Sequence, residues 1–122
     1  MKKTLILMTL AALPLAACGG GSEGGGSAAA AAAGKTAFTT QGCTVCHGET
    51  GLGDGIGAVA LKVKPRNYTD AGWQGEVTDE DIKAVINGGG AANGLDGAMA
   101  AYPQITGEEL DNIVAFIRSL KK

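Results

Sequence analysis

The sequence predicts an all-α domain of three to four short helices wrapped around something that is not protein. Three observations predict it. Two segments, at 78–88 and 106–120, repeat apolar residues at helical spacing behind capping residues. No segment alternates apolar and polar positions as a half-buried strand does. The chain also holds 21 glycines against two Phe, two Tyr and one Trp. A folded part of under about 100 residues with so few bulky side chains needs a metal, disulfides or a large ligand to complete its core.

Residues 1–17 have a basic start at Lys2 and Lys3, an apolar run from Leu5, and small residues after it. That is the layout of an export signal. The run falls short of the roughly 20 apolar residues of a membrane span. Its end, Leu15-Ala16-Ala17-Cys18, resembles the lipobox of bacterial lipoproteins. The resemblance implies cleavage before Cys18 and acylation of that cysteine, and two or more acyl chains anchor a protein stably. Gly19 follows where an aspartate would signal retention at the inner membrane in some bacteria, so the outer membrane is preferred. Losing Lys2 and Lys3 with the signal takes the net charge from −2 to −4. An acidic chain without a basic run is a poor nucleic-acid binder.

Residues 18–33, rich in Gly, Ser and Ala, read as a flexible linker from membrane to domain. A coil of about 15 residues spans near 20 Å, and a helix in the alanine run would shorten it. The domain then occupies residues 34–122. A first helix is expected over 35–42. Thr78 and Asp81 form a capping box for the next strong helix, Val77 staples onto Ile82, and Gly88 is its stop. Thr106 and Glu109 form a second box, with Ile105 stapling onto Leu110. The acidic residues Asp79, Glu80 and Asp81 read as a solvated first helical turn. The stretch 48–75 reads as loop, with a helical turn near Ala58–Leu61.

The chemistry concentrates in Cys43-Thr44-Val45-Cys46-His47. A structural zinc site needs four ligands, and this motif offers three at most. A thioredoxin-like pair needs strands that are absent. A passive disulfide between Cys43 and Cys46 leaves His47 and the thin core unexplained. C-x-x-C-H reads instead as a c-type haem attachment site. Two thiols three residues apart reach the two vinyl groups of one porphyrin edge, and the next residue carries its imidazole to the iron. Haem would also supply the missing apolar bulk. After signal cleavage Met99 is the sole methionine, and no second histidine exists. Met99 is therefore expected as the other axial ligand, with glycines 88, 89, 90, 94 and 97 letting its loop approach the ring.

At this point the chain resembles a family. "FTTQGCTVCHGETGLGDG", the Met-x-x-Tyr-Pro stretch from Met99, and "ITGEELDNIVAFIRSL" together are similar to a small class I monohaem bacterial cytochrome c. The resemblance covers residues 34–122. It implies a first helix that crosses the last, with Gly34 and Phe38 meeting Phe116 there, and it matches Met99 to the family's methionine. It also implies a backbone carbonyl that accepts a bond from His47. The family commonly has a proline where this chain has Ile56, so Ile56 and Pro65 are both candidates for that carbonyl. Arg66, Tyr68 and Trp73 are candidate contacts to the haem propionates or ring edge, or else part of a surface loop with a packed Trp. "GDGIGA" fits a nucleotide loop only loosely, with no strand before it.

The function expected is one-electron transfer, which needs no catalytic acid or base: one covalent haem c, His47 and Met99 as axial ligands, and no catalytic residue. Partners would be redox complexes in or at the membrane, and the chain a monomer on the periplasmic side. The alternative is a haem enzyme or sensor, peroxidase-like or gas-binding, with a displaceable sixth ligand.

Overall fold

The computed structural model describes residues 27–122. The expected signal over 1–17, Cys18, and the linker as far as residue 26 lie outside the described residues. Among the described residues there are helices and turns and no strand. They run in the order α1 (Ala28–Thr40), α2 (Thr44–His47), a 3-10 turn (Ile56–Ala60), α3 (Ala71–Glu76), α4 (Asp79–Ala92) and α5 (Gly107–Ser119).

Helix α1 begins seven residues before the expected start, so positions 28–33 are helix rather than coil. The cause is local. Six consecutive alanines are the strongest helix formers available. Ser27 caps them, its hydroxyl accepting from the Ala30 N–H at 3.2 Å. The helix packs against α5, burying Gly34 and Phe38. Phe38 meets Phe116 edge-on with ring centroids 5.2 Å apart, an arrangement the ring quadrupoles favour. Ile113 and Ile117 fill the centre of the same cluster, and Ile105 is fully buried in it.

The two capping boxes turn out differently. At α4 the Thr78 hydroxyl accepts from the Asp81 N–H at 3.1 Å, and the Asp81 carboxylate accepts from the Thr78 N–H at 2.9 Å. Those bonds hold the exposed Asp81 carboxyl below its usual range. At α5 the Thr106 side chain makes no cap bond. Gly107 stands at φ +56, outside helical geometry, which turns Thr106 away from the first turn. Glu109 instead accepts from the Gln41 amide at 2.9 Å, tying α5 to the end of α1.

Two further elements differ from the expected loop. The turn Ile56–Ala60 lies close to the expected position. Helix α3 was hidden by Gly72 and Gly75, which lower helix propensity. Asp70 starts it by accepting from the Trp73 N–H at 3.1 Å. Helix α4 leaves helical geometry directly after Gly88, its expected stop. It breaks at Gly89 (φ 76, ψ 173) and resumes to Ala92. A side chain at Gly89 would also meet the Met99 carbonyl and the Ala101 amide at 3.0 Å.

Helix α3 is locked to α5 by Gln74, the one buried polar side chain of the described core. Its amide donates to the carbonyls of Tyr68 and Ile117, each at 2.8 Å. Its oxygen accepts from Arg118 at 2.9 Å, and Arg118 also pairs with Asp79 at 2.7 Å. Replacing Gln74 with leucine leaves the Tyr68 carbonyl without its donor, strips the Arg118 guanidinium of one acceptor, and leaves the Ile117 carbonyl only the Leu120 N–H at 3.2 Å. The expected cost is about 2–4 kcal/mol. Thermal unfolding of the haem-loaded protein should then fall by about 10–25 °C.

Candidate functional site

The C-x-x-C-H motif forms α2 itself, a single helical turn. The His47 and Gly48 N–H groups donate to the carbonyls of Cys43 and Thr44, both at 2.9 Å. The following loop wraps back onto it. Gly53 donates to the His47 carbonyl at 2.9 Å and Gly55 to the Cys46 carbonyl at 3.1 Å. A Cβ on Gly53 would collide with the Pro65 carbonyl, so this loop is pressed between the motif and the 65–68 segment. Both thiols are free and half-buried, side by side on the turn. Burial pushes the Cys43 thiol above its usual range.

His47 is half-buried, and burial lowers its pKa to about 4. The imidazole is therefore neutral at pH 7, the form that binds a metal. Its Nδ1 is buried without a hydrogen-bond partner. The Tyr68 ring stacks on the imidazole, 14° from parallel with centroids 4.9 Å apart. The Tyr68 hydroxyl lies 3.4 Å from Nε2.

Beside these groups opens a cavity of about 680 Å³, within the range of cofactor sites. Residues from α1, α2 and the 61–73 segment line it together with residues from α4 and the 95–102 loop. Met99 is among them. Its loop is strapped to α4: Gly90 donates to the Met99 carbonyl at 3.0 Å and Tyr102 to the Ile86 carbonyl at 2.8 Å. Asn87 adds two bonds, to the carbonyls of Tyr102 at 3.0 Å and Ile105 at 2.8 Å. The break in helical geometry at Gly89 lets the loop come this close.

All the residues expected at the site therefore line one cavity: Cys43, Cys46, His47, Met99, and also Arg66, Tyr68 and Trp73. Two placements refine the expectation. Tyr68 is packed against His47 and is buried, rather than standing in a surface loop. The exposed Arg66 lays its guanidinium over the half-buried Trp73, 5.9 Å from the ring centroid. Neither carbonyl expected to hold His47 does so, since Nδ1 has no partner. The sequence reading missed Asn87 and Gln74. A polar residue directly after Ile86 on an apolar helix face was the only local sign of the former.

The donor set suits haem. Two thiols and a neutral imidazole share one turn, and a thioether reaches the same apolar cavity. Among the described residues no three His, Cys, Asp or Glu side chains gather as a group that could hold a metal ion by themselves.

A helical domain closed around such a cavity, with paired thiols and an imidazole at its edge, defines a covalent haem protein. The profile of the cytochrome c family matches residues 31–121, and the chain belongs to that family. It thus binds covalently attached haem c, and the family's work is electron transfer rather than catalysis. A comparison with curated proteins finds no match. Domains of this family are typically exported. Among the described residues no helix is long and apolar enough to cross a membrane.

Proposed function

We propose that this cytochrome c is a monohaem one-electron carrier with His47 and Met99 as its axial ligands, tethered to a membrane through an acylated Cys18. One observation carries the reading: the C-x-x-C-H turn and the only methionine after Cys18 line the same cavity. Bound haem supplies reversible one-electron chemistry at its iron. The chain's residues supply the rest. Cys43 and Cys46 would hold the porphyrin edge by thioethers. His47, neutral through burial, would bind the iron through Nε2. Met99 would bring a soft thioether to the sixth position, which favours the ferrous state and raises the potential. With both axial positions filled by side chains, no site is left for a substrate.

The tether supports the same role. Anchoring at Cys18 would replace free diffusion with a high local concentration near membrane redox complexes. The periplasmic side, with the outer membrane preferred, follows from the signal and from Gly19. The helix that begins at Ala28 shortens the flexible reach, since a helix rises only about 1.5 Å per residue.

Replacing Met99 with alanine tests the ligand assignment. The oxidised protein should lose its methionine-to-iron charge-transfer band, its potential should fall, and its reduced form should bind carbon monoxide. A wild-type protein that already binds carbon monoxide readily would favour a gas-binding or peroxidase-like role. A variant with an unchanged spectrum would remove Met99 from the iron.

A further inference from the structure

We infer that Gly89 and Asn93 are positioning residues for the sixth iron ligand: the break they hold in α4 opens one helical hydrogen bond and gives both of its halves to the Met99 loop. The inference rests on Met99 being an axial ligand. In an unbroken α-helix the Gly90 N–H would donate to the Ile86 carbonyl, four residues back. Gly89 stands instead at φ 76, ψ 173. That setting turns the Gly90 N–H out of the helix, and it donates to the Met99 carbonyl at 3.0 Å. The Ile86 carbonyl accepts from the Tyr102 N–H at 2.8 Å. The two halves of one missing bond therefore hold the loop at Met99 itself and three residues beyond it.

Only glycine fits the break. Positive φ with ψ near 180° is reached essentially by glycine alone. Gly90 is needed for a different reason, since a Cβ on it would collide with the Asp96 carbonyl. Asn93 locks the break. Its amide donates to the Gly89 carbonyl at 2.8 Å and to the Ala84 carbonyl at 3.0 Å, so one side chain ties the break to the regular turn before it. Residues 91–98 are all exposed. Hydrogen bonds, and not burial, therefore place this stretch ahead of Met99.

A residue at position 89 that prefers helical φ would close the bond between Gly90 and Ile86 and take both partners from the loop. The effect is local. The Asn87 bonds to Tyr102 and Ile105 start before the break, and the packing of α1 on α5 lies elsewhere. The domain keeps its fold while the Met99 thioether spends part of its time away from the iron.

The test is Gly89→Ala in the haem-loaded protein, labelled with ¹⁵N and ¹³C. In the reduced wild type, couplings across hydrogen bonds should join the Gly90 nitrogen to the Met99 carbonyl carbon and the Tyr102 nitrogen to the Ile86 carbonyl carbon. In Gly89→Ala the Gly90 nitrogen should couple to Ile86 instead. The oxidised variant should lose most of its methionine-to-iron charge-transfer band. The reduced variant should bind carbon monoxide at least about tenfold more tightly, because apparent affinity follows the fraction of molecules with an open sixth position. A wild type with Gly90 coupled to Ile86 would overturn the inference. So would a Gly89→Ala protein that keeps the wild-type couplings, or one that exchanges them with band and carbon monoxide affinity unchanged. Asn93→Asp decides the matter if Gly89→Ala does not fold. It sets a carboxylate, which only accepts, against two carbonyls. It should weaken the band and tighten carbon monoxide binding, and wild-type values for both would overturn the inference. A wild type without the band would instead remove Met99 from the iron, a separate failure, and the couplings would still read the exchange of bonds.

Discussion

Changing Cys43 and Cys46 together to serine should leave a chain with no haem that survives denaturation. The attachment adds each S–H across a vinyl group: one C–S bond and one C–H bond form, and no oxidant is consumed. A serine hydroxyl is too poor a nucleophile to do the same. Each single substitution should keep one thioether and a weaker signal, while the double variant should show none on a denaturing gel stained for haem. Stability should fall with it. The described core is one cluster on one side of a cavity of about 680 Å³. Every 100 Å² of apolar wall left wet forfeits about 2.5 kcal/mol, against a total stability of about 5–15 kcal/mol for a small domain. The double variant should therefore accumulate poorly and lose most of its helical signal. Covalent haem retained by the double variant would overturn the assignment of the motif.

The second large effect is expected at Gly34. Glycine to alanine inside a helix normally stabilises by about 1 kcal/mol. Here the sign should reverse. A Cβ on Gly34 would overlap the Asn112 carbonyl and stand 2.9 Å from the Phe116 Cβ. The obstacle is largely backbone, so neither helix can yield by turning a side chain. Gly34→Ala should cost at least about 3 kcal/mol, lowering the thermal midpoint by more than about 12 °C. Valine should cost more. A variant that melts at or above the wild-type temperature would show that α1 and α5 do not approach this closely.

How far these features could be read from sequence depends on the range of the interaction behind each. The motif at 43–47 and the box at Thr78–Asp81 are local, so their spacing was enough. The box at Thr106–Glu109 has the same spacing and does not form: Gly107 turns Thr106 away, and Gln41, far away in the chain, takes the Glu109 carboxylate. Helix α3 was missed for a related reason. Its two glycines argue against a helix locally, and what secures it is Gln74 bonded to Ile117 and Arg118. That Met99 would line the cavity was legible by counting, since no other methionine follows Cys18. The orientation of His47 was not legible. It depends on Tyr68, which folds back across the loop and stacks on the imidazole.

The crossing of α1 with α5 joins parts of the chain about 80 residues apart. That seam spans the longest stretch of chain, whereas the straps between α4 and the Met99 loop join positions only about 9–18 residues apart. Such a chain pays most of its loop-closure entropy in a single step. The Met99 side of the site can assemble early from neighbours in sequence, while the seam forms late and slowly for a helical protein. Truncating either end would then remove the step that closes the fold, not merely a peripheral helix.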